Sequence, residues 1–572
     1  MRLATAWLKG YWPLGVVLVL LGVETVVINP LRQAVLDDDW SYALTVRHLL
    51  ETGSYHLDNW AAANPVFQIY WGTLFARLFG FSFASLKVST LVLLAGGLGG
   101  MYLLAREHGL SARRAGLLTL IVLVNPLTLV MGFSYMTDVP FLACVVLGLA
   151  FYTRAIRLNS YRMAVLGSIF ASAAILIRVF GAAFLPGLGL VWLLKSRRRE
   201  TLWLFLTAGA VPLLAVGWQL LAYAGAPNWA VPVHVRWQLA YVTDIPALPR
   251  ETFWRLATLL EYLAFFSMPL IPVALVEWWC SLTARASGEG GRRWSRRELA
   301  IVTGAAVFLA LAIGLRPPSA RRVMPILDWN FPTIASWPHF AIALTLIMLV
   351  GAFVYARAII LRYAGGSWRE IPDHELLLDT VTLGLLVLQI TYFAFGDEYL
   401  LPFMPFALIV VARRVGGWLD RFAGLTVALA SAVMVVGTMW VRGAQYAGQA
   451  IWAAGDNLLA QGVPAQQIGS TWYWASYNGA FDNFLRVYGG HPPGEASDRP
   501  CRGEETADPL TCARADWRGY YIIDWIAKVD KSALYHVQWE EQTAGQLQLI
   551  ATVPYRDMLL REQKIYVYKG PR

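Results

Sequence analysis

Three adjacent carboxylates, Asp37-Asp38-Asp39, are followed by Trp40, Ser41 and Tyr42. Neighbouring carboxylates repel one another unless water, a helix end or a cation takes up the charge. One reading is an acidic cap on the helix that follows, because Asp is a favoured N-cap. The other is chemistry: a carboxylate at the mouth of a membrane cavity suits the removal of a proton from a hydroxyl. Tyr42, Val46, Leu49 and Leu50 then share one side, the pattern of an amphipathic helix lying on a membrane.

A second acidic position, Asp138, stands in Tyr135-Met136-Thr137-Asp138-Val139-Pro140. It too resembles a helix start, with Asp at the cap and Pro in the first turn. Two such carboxylates from separate segments, meeting on one face, point to a shared site. Glu24, Arg178 and Glu261 fall within or beside apolar runs. Charges there are costly in lipid and face a protein or water-filled interior. Arg178 is placed either to pair with a carboxylate or to hold a lipid phosphate. Arg316, Arg321 and Arg322 are further cations for phosphate or headgroup contact.

The elements that must position these residues are membrane spans. The chain has 572 residues, 57% hydrophobic and 15% charged, where soluble domains carry about 25% charged residues. About thirteen apolar stretches approach the ~20 residues of a span. They run 12–28, 83–105, 115–131, 139–152, 164–177, 180–194, 202–223, 253–280, 299–315, 340–358, 378–395, 399–412 and 425–441. The pair flanking Arg178 also reads as one broken helix. The first stretch lacks a small-residue cleavage site and reads as a retained span.

The net charge of +10 does not point to nucleic acid, because the basic residues gather in short loops. Loops 106–114, 154–162, 195–199, 285–297, 357–369 and 413–421 are basic and alternate with less basic ones, 316–322 being the exception. The positive-inside rule then places the N-terminus in the cytoplasm and, for an odd number of spans, the C-terminus outside. Two sizeable outer regions follow, 31–82 and 442–572. The second combines a helix-like stretch, 444–459, with strand-like runs at 467–473, 519–525, 546–553 and 564–568. It reads as a small α/β domain after a membrane domain of residues 1–441. Cys144 and Cys280 read as packing residues. Cys501 and Cys512 fall in one outer loop and are expected to form a disulfide. No Cys/His spacing suits zinc.

Asp38-Asp39-x-x-Tyr42, then Leu49-Leu50-Glu51-Thr52-Gly53 and Asn64-Pro65-Val66-Phe67-Gln68-Ile69-Tyr70-Trp71, resembles the first outer loop of the GT-C glycosyltransferases. The likeness is to the protein O-mannosyltransferases and lipid A aminoarabinose transferases. Thr137-Asp138-Val139-Pro140 is similar to their second acidic position. Glu398-Tyr399-Leu400-Leu401-Pro402-Phe403-Met404-Pro405 resembles their late Tyr-Leu-Leu-Pro-x-x-Pro signature. The resemblance implies a helical polytopic fold and transfer from a polyprenyl-phosphate-linked sugar to a hydroxyl of a protein, lipid or glycan acceptor, with inversion.

It places the base at Asp38, Asp39 in the neighbouring acidic position, and Asp138 beside them. Tyr42, Arg178, Arg321, Arg322 and Tyr399 are expected on the donor phosphate or substrate. No cofactor is implied, with a divalent metal left open. The expected partners are the donor, its acceptor and membrane lipids, and the expected location is the plasma (inner) membrane. Two positions depart from the pattern: Asn64 replaces a Lys of the aminoarabinose transferases, and Glu398 stands where Arg often precedes the Tyr. Both lost cations would have served the donor phosphate. The rival readings are a secondary transporter using Glu24, Arg178 and Glu261, and a non-catalytic scaffold.

Overall fold

A computed structural model describes residues 2–36, 38–195, 199–225, 228–246, 248–286, 338–364, 370–393, 396, 398–482, 533–539, 541 and 547–570, with 303, 304 and 307 besides. The helices are α1 Arg2–Ile28, α2 Asp39–Thr52, α3 Val66–Phe79, α4 Phe83–Glu107, α5 Ala112–Val124, α6 Pro126–Gly132, α7 Asp138–Leu158, α8 Tyr161–Ile175 and α9 Phe184–Lys195. They continue with α10 Arg199–Ala224, α11 Ala230–Thr243, α12 Leu248–Phe266, α13 Ile271–Ala286, α14 Pro338–Ala364, α15 Asp373–Thr391 and α16 Met404–Val415. The short α17, Gly417–Arg421, then leads into α18, Ala423–Ala460, and α19 is Trp472–Tyr477. Among the described residues four strands follow: β1 Ile468–Gly469, β2 Tyr535–Gln538, β3 Gln548–Arg556 and β4 Glu562–Lys569.

Six of these helices are long and apolar enough to cross a membrane, and two bent pairs pass the same test together, α5 with α6 and α12 with α13. Thirteen spans are not reached among the described residues. The stretch 115–131, expected as one span, turns by 62°. Pro126 has no N–H to continue the ladder, and the Asn125 side chain caps the new helix by accepting from Leu127 and Thr128 N–H. The stretch 253–280 likewise bends by 71° at Met268-Pro269-Leu270. The stretch 299–315 apart from residues 303, 304 and 307, together with Arg321, Arg322 and the Cys501–Cys512 pair, lies outside the described residues.

The helices pack as successive neighbours, α4 on α7, α7 on α8 and α8 on α10. Small residues let them close up: a Cβ on Gly97 of α4 would sit 2.9 Å from Ala143 of α7. Leu213, Leu214 and Leu221 of α10 and Val19 and Val26 of α1 stay exposed, an apolar surface of the kind that faces lipid. The ion pairs Glu107–Arg157, Glu277–Arg357, Glu277–Arg414, Glu375–Arg362, Glu375–Arg413 and Asp420–Arg114 join α4, α5, α7, α13, α14, α15, α16 and α17. Four of the basic loops read in the sequence therefore converge at one end of the bundle. Asp138 and Arg178, at the other ends of their helices, mark the opposite one.

The tail forms a sheet in the order β1-β2-β4-β3, with β1 parallel to β2 and the other pairs antiparallel. The runs 546–553 and 564–568 correspond to β3 and β4, 467–473 shrinks to β1, and 519–525 lies outside the described residues. The sheet packs on α18, where a Cβ at Gly443 would meet Met558 N at 2.7 Å. Helix α18 runs through residue 441 without a break.

Candidate active site

The loop after α1 delivers Asp38 to the start of α2. Asp38 occupies the N-cap position but makes no capping hydrogen bond with its side chain. Its Oδ1 instead accepts from the Trp60 indole N–H at 2.6 Å. Trp60 is held in turn by stacking on Trp40, 6.5 Å between centroids, and by the edge of Phe481 at 5.0 Å. Helix α2 is packed inside the protein on the side read as apolar. Trp40, Tyr42, Ala43, Val46 and Leu49 are all buried, because α3 and α19 cover it.

Asp138 opens α7 and also caps nothing; Thr137 holds the cap position, without a side-chain capping bond. The Asp138 carboxylate pairs with Arg178 Nη2 at 2.9 Å, both groups nearly buried. Arg178 Nε donates to Thr137 Oγ1 at 2.7 Å, and its guanidinium lies 4.6 Å from the Tyr399 ring centroid. Arg178 holds this place because α8 ends at Ile175 and the chain extends before the tight turn Val179–Ala183. Gly181 permits that turn, since a Cβ there would sit 2.6 Å from Ile175 N. The carboxylate partner foreseen for Arg178 is Asp138.

The groups feel each other's charge. Burial pushes the Asp38 carboxyl up to about 6; the Trp60 hydrogen bond opposes this, the Asp138 charge adds to it and Arg178 offsets it. Burial also raises Asp39, against the Lys87 charge and two backbone hydrogen bonds. Tyr42 is pushed well above its ordinary value by burial and by Asp38, so it remains a protonated phenol. Asp38 is thus a carboxylate poised near neutrality, with a phenol, a guanidinium and a second carboxylate beside it.

Asp39 is placed differently from Asp38. It is fully buried, its Oδ1 accepts from Leu36 N–H at 3.0 Å and its Oδ2 from Tyr135 N–H at 3.3 Å. It ties the first loop to the turn before α7. That turn is also tied to α3: Tyr135 O–H donates to the Gln68 carbonyl and Gln68 Nε2 to the Tyr135 carbonyl. Gly72 leaves the room, because a Cβ would sit 2.0 Å from the Tyr135 hydroxyl.

Asn64, at the position of the missing Lys, is buried in a neutral network. Its amide N–H donates to Tyr223 Oη, its Oδ1 accepts from Tyr55 O–H, and its side-chain amide donates to Gln219 Oε1. Trp60, Tyr223, Gln219 and Asp58 were not read as site residues from the sequence. Asp58, raised by burial to about 7, accepts the Trp60 backbone N–H. Glu24, by contrast, is closed off by the Thr438 hydroxyl. Among the described residues, no group of three or more His, Cys, Asp or Glu side chains is gathered to hold a metal.

No family model and no curated protein matches the sequence. Among solved structures, the chain is similar to ArnT from Cupriavidus metallidurans bound to undecaprenyl phosphate, at 17% identity and a TM-score of 0.41 over 100% of both chains. It is also similar to the archaeal oligosaccharyltransferase AglB from Archaeoglobus fulgidus in complex with an inhibitory peptide and a dolichol-phosphate. That match has 13% identity and a TM-score of 0.41, over 93% of this chain and 70% of the other. The apo form of the Archaeoglobus oligosaccharyltransferase gives 14% identity and a TM-score of 0.45 over the same shares.

Proposed function

We propose that this chain is an inverting membrane glycosyltransferase that moves a sugar from a polyprenyl-phosphate donor to an acceptor hydroxyl at the outer face of the plasma (inner) membrane. The observation that carries this reading is convergence. Asp38, Asp138 and Tyr399, from three motifs far apart in the chain, meet around Arg178 at the end of the bundle away from the basic loops. On the positive-inside rule that end is the outer one.

Asp38 is the base. It takes the proton of the acceptor hydroxyl as the oxygen attacks the anomeric carbon, and the bond to the phosphate oxygen breaks with its electron pair leaving on phosphate. A carboxyl near 6 is ionised at neutral pH yet basic enough to accept that proton. In-line displacement inverts the anomeric centre. Arg178 supplies positive charge to the departing phosphate, with the Tyr42 and Tyr399 hydroxyls as donors beside it. Asp138 fixes the guanidinium in place, and Asp39 fixes the loop. Arg321 and Arg322 remain candidates for the phosphate. The chemistry asks only for a hydroxyl, which a protein, lipid or glycan acceptor supplies.

The test is turnover of a polyprenyl-phosphate-linked sugar by the purified full chain and its Asp38→Asn variant. Asn keeps the size and the Trp60 contact but cannot take a proton. Transfer should fall by roughly 10² to 10⁴ with folding and membrane insertion intact. Turnover near that of the parent would remove Asp38 as the base.

A further inference from the structure

Lys87 lies in the first turns of α4, fully buried, and the reaction above makes no use of it. A cation in a span is costly and is kept where it has a partner and a task. The Lys87 ammonium donates to the Arg32 carbonyl at 3.0 Å and to Gln445 Oε1 at 2.7 Å. Gln445, on α18, passes the connection on, its Nε2 donating to the Phe133 carbonyl at 3.0 Å. Lys87 therefore joins the loop that ends on Asp38 to the turn that ends on Asp138. Asp39 joins the same two segments through Leu36 and Tyr135. Two bridges, one cationic and one anionic, run side by side between two stretches that are neither helix nor strand.

We propose that Lys87 is a positioning residue of the transferase site: with Gln445 it holds the two carboxylate-bearing segments in register, and its charge balances the Asp38-Asp39 run. The proposal rests on the reading of Asp38 as base. The charged and titratable groups facing this run are Lys87 from α4, Asp138 from α7, Arg178 from the break before α9 and Tyr42 on α2, with Arg32 beside Lys87. Of these, the Lys87 charge acts on Asp39, and Arg178 acts on Asp38 and pairs with Asp138. Removing Lys87 takes away the charge that offsets the burial of Asp39, so the acidic pair holds its protons to higher pH. It also frees the Arg32 and Phe133 carbonyls to drift apart.

The experiment uses the purified full chain with a polyprenyl-phosphate-linked sugar, following kcat and donor KM across pH. Lys87→Met should lower kcat by roughly ten- to a hundredfold through misplacement and leave donor KM unchanged. It should also move the acid limb of the rate profile upward by about one unit. Lys87→Arg, which keeps charge and donors, should restore most of kcat and return the limb. Gln445→Leu keeps the charge and breaks the bridge, so kcat should fall while the limb stays. A parental kcat and limb in Lys87→Met overturns the proposal, as does a loss confined to KM, which would make Lys87 a donor ligand. If Lys87→Met does not fold, a parental kcat in Gln445→Leu overturns it. Asp38→Asn is run alongside: activity there refutes the base assignment, whereas an inactive Asp38→Asn with a parental Lys87→Met refutes positioning alone.

Discussion

Replacing Trp60 by Phe isolates one hydrogen bond at the proposed base. The indole N–H lies 2.6 Å from Asp38 Oδ1 and stabilises the carboxylate against its burial. Phe keeps a smaller aromatic ring against Trp40 and Phe481 and removes the N–H donor. A hydrogen bond to a charged group contributes about 1.5–3 kcal/mol, and one pH unit corresponds to about 1.4 kcal/mol. The Asp38 carboxyl should therefore rise by about one to two units from its position near 6. At pH 7 the ionised fraction would drop from about nine-tenths to between about a half and a tenth.

The assay is kcat/KM against pH with a lipid-linked sugar, a parameter that reports groups of the free enzyme. The variant should be about two- to tenfold slower at pH 7 and should regain the parental rate on the alkaline plateau. A uniform loss at every pH would mean that Trp60 only shapes the loop. An unmoved acid limb would mean that Asp38 does not set it.

Arg178→Ala should destabilise the protein by about 3–5 kcal/mol, because it strands the buried Asp138. Adding Asp138→Asn should recover stability, seen in thermal unfolding, without restoring donor affinity. Asp58 is raised to about 7 in the fold from its ordinary value of 3.8, so the folded form binds the extra proton. Stability should then be greatest at low pH and fall as pH rises through 7. Asp58→Asn should flatten the dependence of the unfolding midpoint between pH 5 and 8, and an unchanged slope would exonerate Asp58. Reporter fusions at Arg199 and Gly490 should report opposite sides of the membrane; the same side for both would overturn the orientation.

The residues that meet around Arg178 were legible because each sits in a short local pattern: a run of Asp, a Thr-Asp-x-Pro turn, a Tyr before Leu-Leu-Pro. Their partners were not. Trp60 serves Asp38 from 22 positions away, and Gln445 serves Lys87 from 358. No local pattern marks either. Lys87 carried a signal, a lone cation in an otherwise apolar run, that the carboxylates outshone. Capping was the simplest expectation for Asp38 and Asp138, and tertiary partners displaced it. Helix α3 hid within an outer loop because its 14 residues are short for a span. The end of α18 was set too early, where Arg442, Gln445 and Gln449 look like a departure from lipid. In the fold Gln445 and Gln449 are spent on Lys87 and Arg32.

Helix α18 has 38 residues, about 57 Å of rod at 1.5 Å per residue, nearly twice a hydrocarbon core of about 30 Å. It is a mast rather than a final crossing. Its lower part shares the membrane with α1, its middle buttresses the first loop through Gln445 and Gln449, and its flank carries the strands. Beyond its top, Phe481 wedges against Trp60 and Trp229. The tail is therefore not freight that can be unloaded at residue 441. A chain shortened there would lose the rear brace of the carboxylate site together with the sheet. Tails exchanged between related proteins should work only when the upper mast travels with them.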